Sequence, residues 1–215
     1  MKYQIIPVTP FQQNCSLIWC EKSGKAAVID PGGNHERIMD ALAQHGLQLQ
    51  YILLTHGHID HVGAAKALAT ECDVQIIGPH IDDKFWLENL PRQSQNFGFP
   101  ACAAFEADRY LEDGEEVILG EQALQVFHCP GHTPGHVIFF DREENLAWVG
   151  DVLFRGSIGR TDFPGSNYQQ LIDSIRYKLW PLGEQVNFIP GHGPMSSFGE
   201  ERRNNPFVAD QLLAD

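Results

Sequence analysis

No apolar run in the 215 residues approaches the roughly 20 that a membrane helix requires, and Met1 to Pro7 lack the long apolar core of a secretory signal. Those absences lead us to expect a cytoplasmic protein with no membrane partner. Cysteine is sparse in pattern as well as number. Cys15, Cys20, Cys72, Cys102 and Cys129 form no C-x-x-C pair and are odd in count, which fits reduced thiols rather than a disulfide framework. Positive charge is also scarce: 15 Lys and Arg against 28 Asp and Glu give a net charge of −13. A nucleic-acid surface needs a basic footprint and is excluded on that ground. An anionic small molecule would need a local patch of cations. What remains, 43% hydrophobic and 20% charged residues, suits one compact domain spanning 1–215, or two closely packed halves, as a monomer or small homo-oligomer.

The densest chemistry lies in Thr55-His56-Gly57-His58-Ile59-Asp60-His61, directly after the apolar run Tyr51 to Leu54. Residues 51–55 read as a buried strand and 62–71 as a helix, so the histidines fall in the loop at a strand's carboxyl end, where open α/β sheets place ligands. In such a turn His56 and His58 can point the same way, Gly57 puts no side chain between them, and Asp60 and His61 follow at the helix start. Imidazoles and a carboxylate at this spacing form a metal site, and one loop could serve two neighbouring metals. Asp60 is also a plausible helix N-cap.

Around this loop the chain reads as strands delivering polar residues to turns. Residues 3–8, 14–21 and 25–30 predict three short strands in a meander, followed by a turn at Asp30-Pro31-Gly32-Gly33 and a helix capped by Asn34 and stopped by Gly46. A helix over 62–72 and a strand at 74–78 come next. Residues 79–108 predict a short helix near 83–89 and then a loop, either an active-site flap or a surface excursion. Strands resume at 117–119 and at 123–128, the latter running into Pro130-Gly131-His132-Thr133-Pro134-Gly135-His136. His132 lies beyond the strand in a fixed turn and is the better ligand candidate, whereas His128 and His136 read as supports. The strand 146–149 ends at Gly150-Asp151, and 186–189 ends at Pro190-Gly191-His192. Asp151 could close a turn, but a carboxylate can also bridge two cations. Four strand ends thus present ligands.

His56, His58, Asp60, His61, His132, Asp151 and His192, in that order, resemble the full ligand set of the metallo-β-lactamase-fold hydrolases. The resemblance runs from end to end and implies a mixed α/β (α+β) four-layer αββα sandwich with the site along one edge and 167–182 as a late outer helix. Gly131 to His136, Gly150 to Phe154, Gly159-Arg160-Thr161-Asp162-Phe163 and Pro190 to Gly193 are most similar to the glyoxalase II group, in particular its short bacterial members without the C-terminal helical domain. That likeness implies one metal on His56, His58 and His132, a second on Asp60, His61 and His192, and a bridging Asp151, with Asp60 and Asp151 catalytic. It implies two divalent ions, zinc first, with iron or manganese served by the same mixed ligands. It further implies hydrolysis of S-D-lactoylglutathione to D-lactate and glutathione by attack of a metal-activated hydroxide.

Two ions sharing a water would supply hydroxide at neutral pH and stabilise the tetrahedral oxyanion. A thiol of pKa about 8.5 leaves as thiolate without a dedicated acid. Arg155 and Arg160 are the candidate contacts to the anionic glutathione thioester, although Arg160 and Asp162 could instead form an internal ion pair. Phe11, Trp86, Phe97, Phe99 and Phe163 are candidate pocket aromatics. Two rivals follow from the same residues. Persulfide dioxygenases resemble the 159–163 stretch and would hold a single iron on His56, His132 and Asp151; a catalytically idle metal-binding protein is the other.

Overall fold

The computed structural model describes residues 1–213; residues 214 and 215, the end of the expected 1–215 domain, lie outside the described residues. Strand β1 (Lys2–Val8), β2 (Gln13–Trp19) and β3 (Lys25–Ile29) form the expected antiparallel meander. Helix α1 (His35–His45) returns the chain to β4 (Gln48–Leu53), parallel to β3. Helices α2 (Ile59–Val62) and α3 (Ala65–Cys72) then lead to β5 (Gln75–Ile77), parallel to β4. After α4 (Lys84–Glu88) and α5 (Leu90–Phe97), β6 (Glu116–Leu119), β7 (Gln122–His128), β8 (Val137–Asp141) and β9 (Leu146–Gly150) make a second meander. A small hairpin, β10 (Leu153–Phe154) and β11 (Ser157–Ile158), and α6 (Tyr168–Ser174) precede β12 (Asn187–Pro190), which joins β9 in parallel. Strand β13 (Ser196–Ser197) closes the edge, and α7 (Phe198–Asn204) and α8 (Asp210–Leu213) complete the described chain.

The period-two alternation of the strands sorts their side chains into separate cores. Ala26 and Val28 of β3 join Cys15 and Leu17 of β2 under α1 and α3. Ala27 and Ile29 point the other way and meet Val137, Phe139 and Trp148 of the second sheet. Ile138, Phe140, Ala147 and Val149 face outward again and are covered by Leu171, Ile172, Ile175 and Leu179. Three cores between four layers make an αββα sandwich, and β8 and β9 are buried throughout because both faces of their sheet are covered. No helix among the described residues is long and apolar enough to cross a membrane. All five cysteines are free.

Several local expectations change. The helix expected over 62–72 is two helices, interrupted at Gly63-Ala64, where a Cβ on Gly63 would meet the carbonyl oxygens of Gly32 and Ile59 at 2.6 and 2.8 Å. Asp60 is not the N-cap: His58 holds that position and Asp60 sits in the first turn of α2. Asn34 does precede α1 but makes no cap bond; its Oδ1 accepts the Thr9 N–H at 2.9 Å instead. Part of the expected 90–108 loop is helix α5, with Pro91 in its first turn, where a missing N–H costs nothing. The late helix runs through a π segment, Ile175–Leu179, and a 3-10 turn, Trp180–Leu182.

Candidate metal centre

The expected ligands reach one edge of the sandwich from four strand ends. The 55–61 loop leaves β4, the 129–136 loop leaves β7, Asp151 follows β9 and His192 follows β12. His56, His58 and His132 each place one ring nitrogen within 4.8 Å of the others, as Asp60, His61 and His192 do with their ligand atoms. In the first group, His58 Nδ1 lies 3.1 Å from His56 Nε2 and 3.0 Å from His132 Nε2. In the second, His192 Nε2 is 3.1 Å and His61 Nε2 3.8 Å from Asp60 Oδ2. Asp151 lies between them, with Oδ1 3.4 Å from His61 Nε2 and Oδ2 3.7 and 3.8 Å from His132 and His192 Nε2.

Hydrogen bonds at the far side of four of the five rings set their tautomers, while His58 Nε2 is buried without a hydrogen-bond partner among the described residues. Thr55 Oγ1 donates to Asp30 Oδ2 at 2.6 Å, so its lone pair receives His56 Nδ1–H at 3.0 Å. His61 Nδ1 donates to Asp30 Oδ2 at 2.9 Å, His132 Nδ1 to the Arg160 carbonyl at 2.8 Å, and His192 Nδ1 to the Phe11 carbonyl at 3.1 Å. All four Nε2 atoms are thereby left with lone pairs facing the site. His136 supports from behind: its Nε2 accepts the Asp151 N–H at 3.0 Å, and its ring stacks on His56 at 4.7 Å.

The electrostatics separate the groups. Burial holds the His56 and His58 pKa values well below the usual histidine value, with neighbouring imidazoles adding to the effect. Burial also lowers His132, against the opposing charge of Asp151. Burial would lower His61 too, but Asp151, Asp60 and the bond to Asp30 outweigh it and raise the value well above normal. His192 is raised likewise, burial being overcome by its bond to Asp60 and the charge of Asp151. Burial would raise Asp151, but the neighbouring charges of His61, His132 and His192 outweigh it and hold the carboxyl far below the usual carboxylate range.

These residues fit divalent ions. His61 Nε2 and Asp151 Oδ1 are buried with no hydrogen-bond partner among the described residues. Lone pairs converging at about 3 Å repel unless a proton or cation lies between them. A Cβ on Gly191 would strike Asp151 Oδ1 and His61, so glycine keeps the space between these donors clear. Mixed imidazole and carboxylate donors suit zinc, iron or manganese alike.

Above the ligands opens a cavity of about 610 Å³, floored by His58, Asp60, His132, Asp151 and His192. Phe11, Trp86, Phe97 and Phe163 form its walls, whereas Phe99 lines a neighbouring hollow. Both candidate arginines reach it, but they differ. Arg160 is engaged, with Nε and Nη2 donating to Asp162 at 3.0 and 2.9 Å and its guanidinium 4.6 Å from the Phe163 ring centre. Arg155 is exposed at the β10–β11 turn and has no partner among the described residues. That hairpin is clamped from below: Glu201 Oε2 accepts Gly156 N–H at 2.8 Å, and Asn205 Nδ2 donates to the Ser157 carbonyl at 3.1 Å and to Glu201 at 2.8 Å.

Four supports stand outside the residues singled out from the sequence: Asp30, Asp83, Gln93 and the Glu201–Asn205 pair. Asp30 was visible as the end of a strand at a Pro-Gly turn, and its positive φ of 53° hints at a constrained role. Gln93 on α5 accepts the Ile59 N–H at 3.0 Å and donates to the Gly57 carbonyl at 3.2 Å, so a polar residue takes the buried face where an apolar stripe would have revealed the helix. Asp83 is fully buried; desolvation pushes its carboxyl up to about 6 while bonds from Thr133, Gly135 and Gly57 pull it down.

Comparison with known proteins agrees with this arrangement. Residues 8–195 match the family model described as the metallo-beta-lactamase superfamily. The chain is 50% identical to hydroxyacylglutathione hydrolase GloC of Haemophilus influenzae, over 97% of this chain and 98% of that protein. Two solved structures superpose closely: BLEG-1 B3 metallo-beta-lactamase, at TM-score 0.89 and 35% identity over 96% of this chain and 99% of that one, and TTHA1623 in a di-iron-bound form, at 0.87 and 36% over 95% and 100%. With candidate ligands from four strand ends gathered on one edge of an αββα sandwich, and these likenesses covering nearly its whole length, the chain belongs to the metallo-beta-lactamase superfamily.

Proposed function

We propose that the protein is a metal-dependent thioester hydrolase of the glyoxalase II type, converting S-D-lactoylglutathione to D-lactate and glutathione. The observation that carries the choice of thioester is the likeness to hydroxyacylglutathione hydrolase, 50% identical across nearly both full lengths. His56, His58 and His132 would hold one divalent ion, and Asp60, His61 and His192 the other, with Asp151 shared; zinc is the proposed metal. Bound there, the pair would lower the pKa of a shared water and polarise the carbonyl under attack. Asp60, whose side chain is 14% exposed and lines the cavity, would be placed to accept a hydrogen bond from the attacking water and orient it.

The leaving group supports the same substrate. Every His and Asp side chain in the cavity lining belongs to the proposed metal groups, and the lining has no Lys, Tyr, Cys or Glu side chain among the described residues. With both ions bound, no ordinary proton donor is therefore left over to protonate an amine. A thiolate, with a conjugate acid near about 8.5, departs unaided. Arg155, free at the mouth, supplies the cation for a glutathione carboxylate in a chain of net charge −13, and Arg160 stiffens the wall through Asp162 and Phe163.

Hydrolysis of S-D-lactoylglutathione by purified protein, measured together with metal content, tests this. The expected result is turnover with about two divalent ions per chain, falling on the order of 10³-fold in kcat in Asp151→Ala. Absence of thioesterase activity, together with about one iron per chain and oxygen uptake on glutathione persulfide, would transfer the site to a mononuclear iron centre on His56, His132 and Asp151.

A further inference from the structure

Asp83 opens helix α4 but makes no cap bond to it. Both carboxylate oxygens are used elsewhere. Oδ2 accepts the Gly57 N–H at 2.9 Å and the Thr133 hydroxyl at 2.8 Å, and Oδ1 accepts the Gly135 N–H at 2.6 Å. Gly57 stands between His56 and His58, and Thr133 follows His132. One side chain, 0% exposed, therefore ties the ligand loop leaving the first sheet to the ligand loop leaving the second.

Nothing in this contact has slack. A Cβ on Gly57 would meet Trp86 Cβ at 2.5 Å, and one on Gly135 would collide with Asp83 itself. Gly57 is also gripped from its carbonyl side by Gln93 Nε2 at 3.2 Å, so its peptide is fixed at both ends. The backbone bond from Val137 N–H to the Thr55 carbonyl, 2.8 Å, joins the same two loops nearer the strand ends, leaving their outer parts to Asp83. An amide cannot replace the carboxylate. With its NH2 at either position, a donor would face the Gly57 or the Gly135 N–H, and a buried donor pair is unfavourable.

We propose that Asp83 is a positioning residue that sets the spacing between the His56/His58 loop and the His132 loop, and so the metal affinity of the three-histidine group; this rests on the metal-site reading above. Partners of metal-binding loops govern affinity in this way because ligands held at the right separation need no reorganisation on binding. The Asp60, His61 and His192 group draws its supports from Asp30 and the Phe11 carbonyl, and Asp83 makes no hydrogen bond to any of the three.

Cobalt(II) titration of the apo protein, followed by visible absorption, tests the proposal in two backgrounds: His192→Ala, which keeps the three-histidine group, and His58→Ala, which keeps the other. Asp83→Asn is expected to weaken binding about 10- to 100-fold in the first background and to leave the second within about threefold. Thr133→Ser, which keeps the hydroxyl, is expected to match the parent, and Thr133→Val to fall between. Equal loss in both backgrounds would mark Asp83 as a general stability residue and overturn the proposal, as would no loss in either. Should Asp83→Asn fail to fold, Thr133→Val against Thr133→Ser carries the same comparison. A parent protein that takes up no cobalt would instead overturn the metal-site reading.

Discussion

The three-histidine group and the Asp60, His61 and His192 group lie side by side, yet they are built on opposite terms. His56, His58 and His132 are almost wholly buried, and burial keeps their rings neutral, already in the form that binds a cation. In the second group His192 is partly open to the cavity, and Asp60 and Asp151 raise the pKa values of both histidines. There the carboxylates favour a proton on the rings, so a metal must displace it. One group is preformed and the other is held together by charge, and each has its own buried acid, Asp83 for the first and Asp30 for the second. Asp30 is the less selective of the two, since through Thr55 it also orients His56.

Asp30→Asn should therefore erase the contrast. It removes the acceptor of His61 Nδ1–H and breaks the chain to His56, so both cobalt-binding steps are expected to weaken, by about 10- to 100-fold. Loss confined to one step would show that the Thr55 link to His56 carries no weight. Acid should sharpen the contrast. Raised values mean that His61 and His192 take up protons at higher pH than a free histidine, and lowered values mean that His56, His58 and His132 resist until lower pH. Bound metal measured from pH 8 downward is expected to fall in two steps, the Asp60, His61 and His192 ion leaving first. Simultaneous release, or the reverse order, would contradict the assignment of the proton-holding group. In the apo chain the signs oppose each other. The depressed histidines stabilise the fold above the unfolded-state histidine pKa and lose that contribution as pH falls; His61 stabilises below it and loses its contribution as pH rises through its raised value.

The smallest effect concerns the two arginines. Arg155→Ala is expected to raise KM for S-D-lactoylglutathione about fivefold with kcat unchanged, the worth of one exposed ion pair, and to lose that effect in high salt. Arg160→Ala should change KM less, because its charge is already matched by Asp162. Steady-state kinetics at low and high ionic strength would reveal a reversed order.

The parts of the molecule that could be read ahead are those where local pattern and global role coincide. Short apolar runs in 25–30 and 146–149, each ending at a turn, mark buried strands, and a histidine set between glycine and proline after a strand marks a candidate ligand, because both signals lie within a few residues. The supports escaped for the converse reason. Asp83 looks like any aspartate at a helix start, and its role exists only once the fold brings Gly57 and Gly135 to it from different sheets. Helix α5 escaped because its inward face carries Gln93 and Ser94 rather than an apolar stripe. The Arg160–Asp162 pair was an open alternative, and its geometry, two parallel bonds with a ring beneath, decides that Arg160 is spoken for.

The clamp of Glu201 and Asn205 under the β10–β11 hairpin gives α7 a part in shaping the cavity. Phe154, Arg155, Ser157 and Ile158 are wall residues, yet the backbone that aims them is fastened to α7 and the turn after it, some fifty positions further along the chain. The candidate ligands are therefore mounted on four strand ends, and the hairpin side of the cavity wall on a buried brace from a distant segment. Drift or engineering in the brace would reshape that side of the cavity while the floor of candidate ligands stays as it is.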